Sequence, residues 1–364
     1  MLEQVAAAFE RKDYSAAAEL LKQLLQESPE NPWVQFYMGR LHEVSGKLEA
    51  AESVYRQLLH GTLNAKVVAQ ARQGLQRVEA NAKEQRQQGI AGATAEPSNT
   101  QMGVLVLEPI ASQIKTVAAQ KLAQIMQLDP YTARLQLPSR GWRLYRTGAI
   151  GELRFLGQSL RDSGVPCFWA TLADIEKIRV FQVHYFQSAS PQATTVVCQN
   201  EQGQLGSLTF NWSEVTQQVV GLLPIFEQVV DLDVRGKLKR KTQTQDYVQF
   251  CDLHLPGRLC ILRLHDNGYQ FQQDVAIAPH QSETNTQTTT RINWNSLLSF
   301  LDQQLSQAAV CSDFKPFAQT VLDQTELLGR IKSHIHLFRR AETSWDPAFH
   351  LYSGLVFTKQ LAVS

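Results

Sequence analysis

Over residues 1–80 the apolar positions recur at three- and four-residue intervals, the mark of helices that each bury one face. One offset lines several of them up. Tyr14 and Leu48 are 34 residues apart, and so are Ala17 and Ala51, Leu21 and Tyr55, and Leu24 and Leu58. Turn-like runs fall between them, Arg11-Lys12-Asp13 and Ser45-Gly46-Lys47. Alanine at 17 and 51 lets paired helices approach closely, and the larger residues four and seven positions on fill the same seam. Pro29 stands where a helix must stop. Asn31-Pro32 opens the next one, because proline in a first turn loses no hydrogen bond. A further helix is expected over 66–82 behind an Asn64 cap, with Val67, Ala71, Leu75 and Val78 on one stripe.

These residues carry a resemblance to the tetratricopeptide repeat family, whose helix–turn–helix unit has a 34-residue period. Residues 32–65 follow the family pattern in Gly39, Gly46, Ala51 and Tyr55, and the first unit follows it in Tyr14, Ala17, Leu21 and Pro29. Gln35 stands where the family has an early aromatic residue. The likeness covers residues 1–80 and implies two helix–turn–helix units with a capping helix, over 1–82. It also implies that a protein or peptide binds in a concave groove lined by the first helix of each pair. In the second unit the groove positions so implied are Trp33, Phe36, Tyr37, Arg40 and Glu43. Aromatic residues with an arginine among them are the composition of binding hot spots. The Lys/Asn pattern of a clamp for a peptide's terminal carboxylate is absent. Two units and a cap fall short of the roughly three repeats that stabilise such an array alone. The array is therefore expected to dock on the rest of the chain or to self-associate.

Beyond it the pattern breaks. Residues 83–101 hold few large apolar side chains and include Gly, Pro and Ser, which predicts a flexible linker. Between 102 and 190, strands are expected at 103–109, 142–146, 166–172 and 178–187, with helices at 112–126, from 130, and at 150–163. That order predicts an α+β unit of ferredoxin-like type. Residues 191–364 read as a strand-rich α+β region, continuous with the preceding unit or separate from it. A hairpin turn is expected at Asn200-Glu201-Gln202-Gly203, further turns at Pro256-Gly257 and Asp266-Asn267-Gly268, and a loop over 280–290. Helices at 293–308 and 313–328 and closing strands at 333–339 and 349–357 complete the reading.

Charge narrows the function. With 35 Lys and Arg against 34 Asp and Glu, the net charge is +1, which argues against a chain-wide basic surface for nucleic acid. No apolar run reaches the roughly 18 residues a membrane span needs, so any membrane association is expected to be peripheral, through a partner. The N-terminal stretch carries charges at helical spacing and reads as a mature helix, not a signal peptide. Five scattered cysteines fit reduced thiols in a cytoplasmic compartment.

No phosphate loop, dinucleotide fingerprint, metalloprotease helix or nucleophile elbow is present, so neither catalysis nor a cofactor is expected. Cys251-x2-His254 and Cys260-x4-His265 offer metal-ligand types, but at spacings foreign to zinc fingers and ribbons, and Cys260 lies in an apolar run. No metal is expected. His334 and His336 alternate as a pair that specifies nothing alone. Arg140, Arg143 and Arg146 cluster before a helix entrance, and Arg235, Lys237, Lys239 and Lys241 would share one face of a strand. Either cluster suits an anion, although alternating lysines also protect an exposed edge strand. The leading expectation is a non-catalytic adaptor, scaffold or assembly factor that binds a protein through the groove. The alternative is an anion-, nucleotide- or nucleic-acid-binding module that uses the basic clusters.

Overall fold

The computed structural model describes residues 1–232, 238–275, 289–339 and 342–362, and the chain divides into two units, Met1–Gly92 and Ala93–Ser364. In the first, α1 (Leu2–Glu10) pairs with α2 (Tyr14–Glu27), α3 (Pro32–Val44) pairs with α4 (Leu48–Gly61), and α5 (Ala65–Ala93) follows. Side-chain oxygens close the exposed helix starts. Asp13 accepts from the Ala16 amide, Asn31 from that of Trp33, and Asn64 from that of Lys66. The seam residues Ala17, Leu21, Ala51, Tyr55 and Leu58 are all buried. The turns repeat as well, since Lys12 and Gly46, one period apart, both take the left-handed conformation, with φ of 59° and 74°. Glycine adopts it freely, whereas the lysine Cβ adds a cost of about 1 kcal/mol.

The linker expected from residue 83 is helix instead. α5 runs 29 residues to Ala93, and Pro97–Thr100 forms a 3₁₀ helix. Ala, Lys, Glu, Gln and Arg are strong helix formers. A helix already nucleated by its packed first half propagates through them without burying a face.

The second unit opens with β1 (Met102–Leu107), α6 (Lys115–Met126), α7 (Pro130–Gln136), β2 (Arg143–Ala149), α8 (Ile150–Asp162) and β3 (Cys167–Thr171). The three strands form a sheet of order β2-β1-β3, with β1 antiparallel to both neighbours. After the short α9 (Leu172–Glu176), β4 (Arg179–Ala189) leaves this sheet, so the fourth strand of the expected ferredoxin-like unit belongs elsewhere. There follow β5 (Thr194–Gln199), β6 (Leu205–Phe210), β7 (Gln217–Leu232), β8 (Leu238–Leu255) and β9 (Cys260–His265). Then come α10 (Thr290–Gln304), β10 (Ala309–Cys311), α11 (Phe314–Val321), α12 (Thr325–Leu328) and α13 (Trp345–Leu361). The larger sheet has the order β10-β7-β8-β9-β4-β5-β6. The hairpin expected at Asn200–Gly203 joins β5 to β6, with Gly203 at φ 79°. The loop expected over 280–290 lies, up to residue 288, outside the described residues.

Two helices sandwich the larger sheet. Side chains alternate along β8, so Phe250 packs against Phe349 of α13 on one face, and Cys251 joins the cluster of Trp294 and Leu297 from α10 on the other. Of the two expected closing strands, 349–357 lies within α13 and 333–339 carries no strand. The run Phe349–Phe357 is buried on every side. It therefore lacks the 3.6-residue amphipathic period that would have marked a helix. One core cluster takes in Val104 and Phe168 of the small sheet, Val219 and Phe250 of the large one, Phe317 of α11 and Phe349 of α13. Residues 102–190 and 191–364 thus share a core.

Candidate functional site

Tyr55 is the pivot of the helical array. Its ring lies against Gly39 of α3 and Gly74 of α5, where an added Cβ would stand 2.6 Å from ring carbons. Its hydroxyl donates to Glu43 at 2.9 Å, and Glu43 also accepts from Nε and Nη2 of Arg77 at 2.7 and 3.0 Å. Burial first, then the bond to Glu43, pushes the Tyr55 hydroxyl well above the ordinary phenol range. Glu43, implied as a groove residue, thereby ties α3, α4 and α5 together. Phe36 is buried against Tyr55, with ring centroids 6.0 Å apart.

The other three groove residues stay partly open. Tyr37 stacks on Phe9 at 5.4 Å, the Arg40 guanidinium lies 4.9 Å from the centre of the same ring, and Trp33 meets Phe36 edge-on. Trp33, Tyr37 and Arg40 form an aromatic and cationic patch whose rotamers are held by neighbours. The sequence reading missed Phe9 and Arg77, yet the period contained both. Phe9, Glu43 and Arg77 occupy one position of the 34-residue repeat three times over.

The basic clusters are less convergent. Arg140 is exposed on the loop before β2, Arg143 is half-buried at that strand's start, and Arg146 is exposed and paired with Glu152 at 2.7 Å. Arg235 and Lys237 lie outside the described residues, and so does the Lys239 side chain. Lys241 is exposed on β8, opposite Val229.

Inside the second unit a charged pair is sealed from water. Arg263 of β9 meets Asp252 of β8 in bidentate fashion, Nε to Oδ1 at 2.9 Å and Nη2 to Oδ2 at 2.7 Å, with both side chains fully buried. Ser353 of α13 donates to Asp252 Oδ2 at 2.7 Å and stands 3.0 Å from His254 Nε2. Serine, histidine and aspartate are all present, but the serine reaches the carboxylate directly and all three are buried. The trio ties α13 to the sheet and presents no nucleophile. Arg263 Nη1 donates to the Ser333 carbonyl at 2.8 Å, anchoring the segment that follows α12.

That segment, β4, β9 and the β5–β6 turn line a cavity of about 510 Å³, with His184, Glu201, His265, Lys332, His334 and His336 on its wall. Lys332 donates to Glu201 at 2.8 Å, and His334 Nδ1 lies 3.4 Å from the same carboxylate. Gly268 makes room for His265, because a Cβ there would stand 2.4 Å from a ring carbon. Burial, reinforced by the Arg263 charge, lowers His265 to about 4, and burial lowers His334 to about 4. His184 Nε2 and His265 Nδ1 are buried with no hydrogen-bond partner among the described residues.

His265, His334 and His336, noted in unrelated sequence patterns, are thus brought to one wall, while His254 goes to Ser353, and Cys251 and Cys260 pack in the interior. His184 and Lys332 were missed, as single polar residues with nothing in their local spacing to mark them. Among the described residues no group of three or more His, Cys, Asp or Glu could hold a metal ion.

Comparison with known proteins bears on the array. Residues 8–73 match the family model for the tetratricopeptide repeat, and no curated protein and no solved structure matches the chain. The array is a tetratricopeptide-repeat segment, which points to protein–protein interaction in general. No helix among the described residues is long and apolar enough to cross a membrane.

Proposed function

We propose that this protein is a non-catalytic adaptor, scaffold or assembly factor that binds a protein partner on the α3 face of its repeat segment. The observation that carries the proposal is the patch of Trp33, Tyr37 and Arg40. Each of these side chains is large, partly open and braced by an aromatic neighbour. Side chains already ordered before binding lose little entropy on contact, so their buried area converts efficiently into affinity. Trp, Tyr and Arg are also the residue types that dominate binding hot spots. A non-catalytic role is supported by the thiols, since burial pushes those of Cys167 and Cys198 up to about 11, away from a reactive thiolate. Five free cysteines fit a reducing, cytoplasmic setting.

The test is affinity capture from native lysate with the full chain beside a Trp33→Ala/Arg40→Ala variant whose helicity is unchanged. A stoichiometric protein captured by the parent and lost by the variant supports this face as the docking surface. A partner retained undiminished by the variant moves recognition elsewhere on the molecule.

A further inference from the structure

The histidine-walled cavity has bonding capacity left over. Lys332 and Glu201 engage one another at 2.8 Å, His334 Nδ1 stands 3.4 Å from the same carboxylate, and Arg263 is satisfied by Asp252, while bonding capacity is left on the other imidazoles. Two of their nitrogens, His184 Nε2 and His265 Nδ1, are buried and unpartnered among the described residues. Buried polar atoms without partners cost free energy, so a native structure keeps them for a reason. The wall is also held under strain. His334 takes a left-handed backbone, φ 53°, at a cost of about 1–3 kcal/mol. It is held there by Arg263, whose Nη1 bonds the carbonyls of Ser333 and His334 at 2.8 and 3.4 Å.

We propose that this cavity binds a small organic oxyanion, a carboxylate or phosphate ester, and that the histidine wall takes up a proton from solvent as the anion enters. A neutral imidazole donates one hydrogen bond and a protonated one donates two. Proton uptake therefore turns a lone pair that would repel an oxyanion into a donor that holds it. The exposed Lys332 ammonium, restrained among the described residues only by Glu201 across the rim, supplies the fixed positive charge.

A metal cation fits poorly, for want of three ligands in range among the described residues. The volume of about 510 Å³ lies in the ordinary range for organic ligands, roughly 300–1,000 Å³. Without an anion His265 and His334 resist protonation. His265 faces Arg263, His184 and Asp252, and His334 faces Glu201, Lys332, Arg263, His336 and the ring of His350, 4.7 Å away. Burial, together with the positive members of these sets, outweighs the two carboxylates.

The experiment is calorimetric titration of the full chain with citrate, with inorganic phosphate and with zinc, at about pH 8 and about pH 6, values that bracket the ordinary histidine pKa. Citrate is expected to bind about tenfold more tightly at the lower pH, with net proton uptake read from the dependence of heat on the buffer. Lys332→Glu, a surface change, is expected to weaken citrate by about tenfold or more, and Lys332→Arg to restore it. Gly268→Ala, which displaces the His265 ring, is expected to weaken it with Lys332 intact. Affinity for phosphate near that for citrate would mark the headgroup as sufficient and still support an oxyanion site. Binding that ignores pH, binding of zinc in place of the anions, or no heat from any probe would overturn the proposal.

Discussion

A carboxylate gripped by both ends of an arginine fork and by one hydroxyl occurs twice among the described residues. In the helical array Glu43 holds Arg77 and Tyr55, and in the second unit Asp252 holds Arg263 and Ser353. The chemistry is the same and the surroundings are not. The Arg77 side chain keeps 42% of its exposure, whereas that of Arg263 keeps none. Water screens the first pair, so its formation and its loss are both modest. Both charges of the second have been taken out of water, and removing either strands the other in the interior. Burial, not the count of hydrogen bonds, sets what each constellation is worth when broken.

Asp252→Ala should therefore cost most, about 3–5 kcal/mol. Urea unfolding of the full chain checks it, and a loss below about 1 kcal/mol would show that Arg263 finds water. Acid tests the same interior without a mutation. His254, His265 and His334 titrate at about 4 in the fold, against an ordinary value near 6.5. Between these values the unfolded chain binds more protons, so stability is full above about pH 6.5 and declines as the pH falls toward 4. Urea midpoints at about pH 7 and about pH 5 should differ in that direction, and equal midpoints would refute the neutral-histidine interior.

In the array, Gly74→Ala forces a Cβ against the Tyr55 ring and should cost about 1–3 kcal/mol by thermal unfolding. Glu43→Gln leaves behind the Arg77 guanidinium, which is half-exposed and can turn to water, so it should cost only about 0.5–1 kcal/mol, several-fold less than Asp252→Ala. A result as large as that for Asp252 would erase the distinction drawn from burial. The smallest effect belongs to the turn. Lys12→Gly gives the first repeat the residue the second already has, and should stabilise by a few tenths of a kcal/mol, since relief of the left-handed Cβ strain exceeds the added chain entropy.

Legibility in the sequence follows the same divide. The turn at Arg11-Lys12-Asp13, the helix starts at Asn31 and Asn64, the seam at Ala17, Leu21, Ala51 and Tyr55, and the hairpin at Asn200–Gly203 all answer to contacts a few residues away. Two readings failed because a local rule was outvoted. Residues from 83 onward lack an apolar face but possess helix propensity. The run Phe349–Phe357 is a helix whose amphipathic period was erased by burial on all sides. The candidate sites divide likewise. Trp33, Tyr37 and Arg40 were readable on α3, whereas the withdrawal of Phe36 and Glu43 into packing depended on Tyr55 and Arg77 arriving from other helices.

By itself the sequence determined the repeat, its period and its caps, because packing between neighbouring helices recurs every 34 residues and leaves a periodic trace. Only the tertiary structure decided that β4 joins the larger sheet, that Asp252 meets a serine 101 residues away, and that His265 and His334 wall one cavity. Those unions depend on strand order and on a helix threaded through the core. Nothing in the spacing along a chain records which distant strands will lie side by side.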